Sequence, residues 1–159
     1  MRLNNNDIIN YLDEIDNHLK ASNKIKFEYN LLWASQFEDK PAIYAIFKSD
    51  KLVYVGETAS LKKRMSDIRH TYNHTFRKHL GIKLFKVKPN DKGFFSEENE
   101  KALSSYFEEN IKVTFYYINF GRSEAESYII HKNKGVNSDL LFNKIGKRDL
   151  KVIESLKSK

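Results

Sequence analysis

Residues 42–58 read AIYAIFKSDKLVYVGET. Two apolar runs, Ala42–Phe47 and Leu52–Glu57, flank the polar tetrapeptide Lys48-Ser49-Asp50-Lys51. The pattern predicts two strands joined by a tight turn. Each run carries a tyrosine, Tyr44 and Tyr54, and the second reaches Gly56 just before the basic stretch Leu61-Lys62-Lys63-Arg64. The tyrosines lie an even number of positions apart, so a hairpin with an odd-length loop sets them opposite each other on one face. Taken alone, either reads more readily as a core aromatic. As a facing pair beside a basic helix they suit a site better, because each buried hydroxyl needs a partner.

Working outward, Asn6 or Asp7 is expected to cap a helix running to Lys20, with Ile8, Leu12, Ile15 and Leu19 as its apolar stripe. Residues 25–40 are ambiguous, with Trp33 expected as a buried anchor. After the hairpin, a helix is expected over Ser60–Tyr72 with Thr58 or Ser60 as cap. A shorter helix, Thr75–Leu80, is expected to end at Gly81. Ile82–Val87 alternates apolar and basic residues, as a strand does. A loop at Pro89–Gly93 follows. Ser96–Asn110 reads as a helix with Ala102, Leu103, Tyr106 and Phe107 on one side, and Lys112–Phe120 as a strand. Ser123–Lys134 and Lys147–Lys157 read as helices, and Leu140–Asn143 as a short apolar segment. The order gives an α+β fold with a small, antiparallel, three-stranded central sheet flanked by helices. Residues 1–40 are expected as a helical extension packed on a core of residues 41–146, elaborated near 85–111, with a tail over 147–159.

The 159 residues carry a formal charge of +7 and 40% hydrophobic residues, enough for a core and suited to a polyanionic partner. There is no cysteine, which excludes disulfides and thiolate metal sites. MRLNNNDIINYL lacks the apolar core of a signal peptide, and no apolar run approaches the roughly 20 residues that cross a bilayer. A cytoplasmic protein without a membrane partner is expected.

The hairpin tripeptides Ala42-Ile43-Tyr44 and Tyr54-Val55-Gly56 resemble the two that name the GIY-YIG nuclease superfamily, with Ala for Gly in the first and Val for Ile in the second. The resemblance extends to Arg64, eight residues past Gly56, and to a histidine, for which His74 fits best and His70 is the rival. It continues to Glu126 at the start of a late helix, followed by Ile129 and Ile130, and to Asn143 after Leu141-Phe142. Each piece is weak alone; the ordered set over residues 42–143 is specific.

That resemblance implies an Mg²⁺-dependent DNA endonuclease, with Mn²⁺ as a substitute, in which Tyr44, Tyr54, Arg64, His74 and Asn143 are catalytic and Glu126 binds the metal. The residue types suit phosphodiester hydrolysis. A tyrosine can serve as base when a nearby cation lowers its pKa, and the resemblance favours Tyr44 for this role. Arg64 can hold phosphate oxygens bidentately. Glu126 offers the hard oxygen that Mg²⁺ prefers. Glu126 also has a purely structural reading, because Ser123-Glu124-Ala125-Glu126 matches a capping box. Lys62, Lys63, Arg69, Arg77 and Lys78 are candidate phosphate contacts on duplex DNA. A restriction enzyme acting as a dimer or higher assembly, a repair nuclease and a non-catalytic nucleic-acid-binding module on the same fold all remain open from sequence.

Overall fold

The computed structural model describes residues 4–137. Five helices surround a four-stranded antiparallel sheet of order β1-β4-β2-β3. The strands are β1 (Ile25–Lys26), β2 (Ala42–Lys48), β3 (Lys51–Thr58) and β4 (Ile111–Tyr117). The fourth strand, absent from the sequence expectation, is β1. Two residues are too few to leave a periodic signal, and they are defined by pairing Ile25 with Val113 and Lys26 with Lys112.

The hairpin departs from the expected loop in an informative way. Lys48 pairs with Lys51, so the loop has two residues, Ser49 and Asp50, at φ 48° and 61°. Two consecutive left-handed residues match the strand twist in such hairpins. Continued without interruption, that register would set Tyr44 against Val55 and Tyr54 against Ala45, on opposite faces. A β-bulge intervenes: Phe47 pairs with Leu52 but Ile46 pairs with Tyr54, leaving Val53 extra. The bulge shifts the parity, so Tyr44 now pairs with Gly56 and shares a face with Tyr54. The tyrosines are diagonal neighbours, not directly opposed.

Helices α1 (Asn5–Ala21) and α5 (Arg122–Asn137) cover the other face, where Leu12, Ile15, Leu19, Ala125 and Ile129 pack on Ile43, Ala45 and Val55. The cap of α1 is Asn4, in a reciprocal capping box with Asp7. Asp16, buried on α1, takes Lys20, Lys132 and Asn133 as partners. Tyr128 and Lys132 of α5 both donate to Asp13. These bonds fix α5, and with it Glu126, against the sheet.

The tyrosine face is covered by a 3₁₀ turn at Trp33–Gln36 and by α2 (Leu61–Asp67), α3 (Thr75–Phe85) and α4 (Glu97–Asn110). Trp33 is buried, as expected. Ser60 caps α2, but the helix stops at Asp67, short of Tyr72. The Tyr29 hydroxyl takes the Arg69 carbonyl just beyond its end. The expected strand at Ile82–Val87 is instead the last turns of α3 and the chain leaving it. Gly81 does not end α3; a Cβ there would come within 2.3 Å of the Phe95 ring, so the glycine permits close helix packing. Lys86, left-handed at φ 58°, ends the helix. On α4, Leu103 and Phe107 are buried and Tyr106 half-buried, whereas Ala102 is exposed, contrary to expectation. Residues 138–159, with Asn143 and the expected tail helix, lie outside the described residues.

Candidate active site

Tyr44 comes from a central strand, Tyr54 from the neighbouring edge strand, and His74 from the residue that precedes α3. Their rings form a triangle with centroid separations of 6.1 Å (Tyr44–Tyr54), 6.0 Å (Tyr44–His74) and 5.7 Å (Tyr54–His74). Gly56 makes the arrangement possible. A Cβ at that position would lie 2.4 Å from Tyr44 Cζ and Oη, so the phenol lies across the β3 backbone where only glycine leaves room. The glycine of the second tripeptide is thus a steric requirement of the tyrosine of the first.

The Tyr44 hydroxyl lies 2.9 Å from His74 Nε2. His74 Nδ1 is buried without a hydrogen-bond partner among the described residues. A proton there would be an orphaned donor, so the neutral ring is assigned its proton on Nε2, donating to Tyr44. Burial, reinforced by the charges of Arg64 and Arg77, pushes the His74 pKa down to about 3, so the ring stays neutral at physiological pH. Burial also raises the Tyr44 phenol well above its ordinary value; Tyr54 adds to this and Arg64 opposes it. Tyr54, half-buried, is raised by burial and then by Glu126, while its hydrogen bond with Tyr44 and the charge of Arg64 work the other way. The lowering of a tyrosine pKa expected from a nearby cation is therefore present, but burial outweighs it.

Arg64 lies in α2 directly after the hairpin and is half-buried. Its Nε is shut from solvent and has no hydrogen-bond partner among the described residues, while its charge acts on Tyr44, Tyr54 and His74. Glu126 approaches from the helix on the opposite face. It does so at β3, the edge strand of the sheet among the described residues, where its Oε1 accepts the Glu57 backbone N–H at 3.1 Å. From there its charge reaches both tyrosines. The expected capping box does not form: α5 starts at Arg122, which makes Ser123 the second residue of the helix and Glu126 the fifth. Beside it, Arg122 Nη1 stands 2.8 Å from Glu57 Oε2, an ion pair that lacks hydrogen-bond alignment. This pair, which ties the start of α5 to β3, left no sequence signal beyond two ordinary surface charges.

Among the described residues, no group of three or more His, Asp or Glu is gathered as a protein-only metal cage. A single half-buried carboxylate at an accessible edge does fit Mg²⁺, which keeps several waters and takes phosphate oxygens as further ligands.

The other sequence candidates divide. Lys62 and Lys63 are exposed on α2, and Lys78 is half-buried. Arg69 turns its Nε and Nη2 onto Ser66. His70 stacks on Tyr72, leaving His74 as the histidine at the tyrosines. Arg77 corrects an expectation: it is 1% exposed and cannot be a surface phosphate contact. It pairs with Glu100 at 3.0 Å, donates to Thr71 and Ser104, and lies over the rings of Tyr29 and Phe107. Composition could not separate this buried cation from its exposed neighbours.

No helix of the described residues is long and apolar enough to cross a membrane. No curated protein and no solved structure matches the chain significantly. A family model, the GIY-YIG catalytic domain, matches residues 24–136, well over half of the sequence and spanning Tyr44, Tyr54, Gly56, Arg64, His74 and Glu126. The chain belongs to the GIY-YIG catalytic-domain family, a family of nucleases whose substrate is nucleic acid.

Proposed function

We propose that the protein is an Mg²⁺-dependent endonuclease that hydrolyses phosphodiester bonds in DNA. The observation that carries this reading is the convergence of two phenols, a neutral imidazole, a cation and a carboxylate at the edge strand β3. Arg64 is the phosphate holder. Its guanidinium is a planar fork matched to phosphate oxygens, and its buried Nε has no acceptor among the described residues. Tyr44 is the base, because its oxygen is the one held by His74. Its own proton passes along its hydrogen bond to Tyr54, the phenol nearer solvent, as Tyr54 gives its own proton to water, and the neutral His74 then steadies the Tyr44 oxygen by donating from Nε2. Deprotonated Tyr44 takes a proton from the attacking water as its oxygen bonds to phosphorus, charge builds on the phosphoryl oxygens beside Arg64, the bond from phosphorus to the departing sugar oxygen breaks, and that oxygen takes a proton from solvent. Glu126 holds Mg²⁺, which when bound polarises the phosphoryl group and acidifies water beside it. Lys62, Lys63, Arg69 and Lys78 supply phosphate contacts along the strand. Cutting both strands of a duplex, as a restriction enzyme does, requires two such sites and favours a homodimer.

The test is nicking of supercoiled plasmid by the wild-type chain and by Glu126→Gln, with Mg²⁺, Mn²⁺ or EDTA. Metal-dependent nicking is expected for the wild type. For the variant, almost complete loss of nicking is expected, with folding and DNA binding retained and slight rescue by Mn²⁺. Wild-type nicking by the variant removes Glu126 from the site. Salt-sensitive binding without nicking under any metal favours the non-catalytic binding module instead.

A further inference from the structure

A second constellation lies beyond the tyrosine site, on the segment between α2 and α3. His70 stacks on Tyr72 with centroids 5.4 Å apart and planes at 28°, and Tyr72 meets Phe94 at 5.0 Å. Tyr72 and Phe94 are 45% and 41% exposed, a large outlay of aromatic surface for a small domain. The row is held from behind. Asn90 Oδ1 accepts the N–H groups of Lys92 and Phe94, Asn90 N–H returns to the Phe94 carbonyl at 2.7 Å, and Gly93 N–H to the Asn90 carbonyl at 2.9 Å. Gly93, at φ 87°, packs so closely that a Cβ would lie 2.8 Å from Tyr72 Cβ. Phe94 is thereby fixed beside Tyr72.

The row borders a groove of about 680 Å³ lined in part by Tyr29, Arg69, His70, Phe94, Arg77 and Lys101. Its acids are engaged: Glu100 with Arg77, Thr71 and the Phe95 N–H, and Glu97 with Lys101 at 3.3 Å. Three cations against two acids leave the groove net positive. Tyr72 is two residues from His74, and two residues span at most about 7 Å of chain, so the backbone of the platform stays within that distance of the backbone of the tyrosine site. Rigid, exposed rings beside cations are what an unstacked nucleobase and its phosphates require; a paired base, stacked within a duplex, offers no face to them.

We propose that the His70–Tyr72–Phe94 row is a stacking platform for an unpaired nucleobase, with Arg69 and Lys101 meeting the flanking phosphates. The substrate class is then nucleic acid with single-stranded character next to the scissile phosphate. This rests on the nuclease reading of the neighbouring site and adds a binding site to it.

The test uses the full chain in EDTA, so that nothing is cut. The probes are a short single-stranded oligonucleotide carrying 2-aminopurine and the same sequence as a blunt duplex. Wild-type protein is expected to quench 2-aminopurine in the single strand and to bind it more tightly than the duplex. Tyr72→Leu/Phe94→Leu keeps apolar volume but removes the π-faces. It is expected to lose the quenching and about tenfold or more in single-strand affinity, with duplex affinity unchanged, and Tyr72→Phe is expected to retain both. Equal quenching by wild type and the double variant overturns the proposal, as does an equal loss on single strand and duplex. Cleavage with Mg²⁺ of the same single strand, of the duplex and of an oligonucleotide joining an unpaired to a paired segment separates this inference from the nuclease reading. Cleavage without quenching refutes the platform alone, and quenching without metal-dependent cleavage refutes the nuclease reading alone.

Discussion

His74 makes a prediction about stability that does not depend on any substrate. Its pKa is about 3 in the folded chain, because burial and then the charges of Arg64 and Arg77 oppose protonation. In the unfolded chain it returns to about 6.5. The folded-state value is depressed, so the unfolded state binds more protons below pH 6.5 and stability falls as pH drops from there towards 3. At pH 5 nearly every unfolded molecule carries this proton and only about one folded molecule in a hundred does, which is a loss of about 2 kcal/mol relative to pH 8. Other groups titrate in the same window, so the measurement is a difference: urea unfolding at both pH values for the wild type and for His74→Gln, which keeps an amide donor near Tyr44. The wild type should lose about 2 kcal/mol more than the variant on acidification. A variant whose stability falls in parallel with the wild type would show that His74 is protonated in the folded chain, and the neutral donor to Tyr44 would go with it.

Two further substitutions probe the same triangle. Gly56→Ala places a Cβ 2.4 Å from the Tyr44 ring, which cannot swing aside without breaking its contact with His74. A destabilisation of about 1–3 kcal/mol and loss of cleavage are expected, checked by urea unfolding and plasmid nicking. Arg64→Ala should lose cleavage by 100-fold or more, about 3 kcal/mol, while DNA affinity changes little, because its contacts strengthen as charge develops. Arg64→Lys should stay poor, since a point charge does not replace a planar fork. Single-turnover rates and affinities measured separately decide both cases, and near wild-type cleavage by Arg64→Ala would place the essential cation elsewhere.

The tyrosines, the glycine, Arg64 and Glu126 were legible in sequence because their order and spacing resemble those of the GIY-YIG family. What joins them was less so. The even spacing of Tyr44 and Tyr54 gives a shared face only if the hairpin has odd parity, and a two-residue loop gives even parity. The extra residue is Val53, in a run where every apolar residue suits a strand, so nothing marks it as a bulge. Arg77 and Glu126 show the complementary limit. Both are charged residues on helices with ordinary local readings, surface cation and cap. Tertiary placement reverses both: Arg77 is drawn under Tyr29 and Phe107, and Glu126 stands two residues too late for a capping box. The segment Ile82–Val87 misled for another reason. Ile82 and Phe85, three apart, pack against the core as a helix requires, and Lys83 and Lys86 only imitate alternation.

The electrostatics of the site also make Glu126→Gln a discriminating test. In the folded chain the Glu126 charge is a cause of the raised Tyr54 pKa, second to burial, and a lesser cause at Tyr44. Removing that charge lowers both phenols and so favours the phenolate a base requires. If Glu126 acted on catalysis only through the tyrosines, Gln would raise activity and move the rising limb of the pH–rate profile, where the base ionises, to lower pH. If Glu126 acts by holding a hard cation, Gln abolishes cleavage even though the tyrosines are easier to ionise, because a neutral amide is a poor ligand for Mg²⁺. Loss of its bond to the Glu57 N–H does not blur the contrast, since the Gln carbonyl can accept the same hydrogen bond. The two roles therefore predict changes of opposite sign. An abolished rate, in a variant whose Tyr54 titrates at lower pH by ultraviolet absorbance, would assign the carboxylate to the metal and leave the tyrosines to the proton.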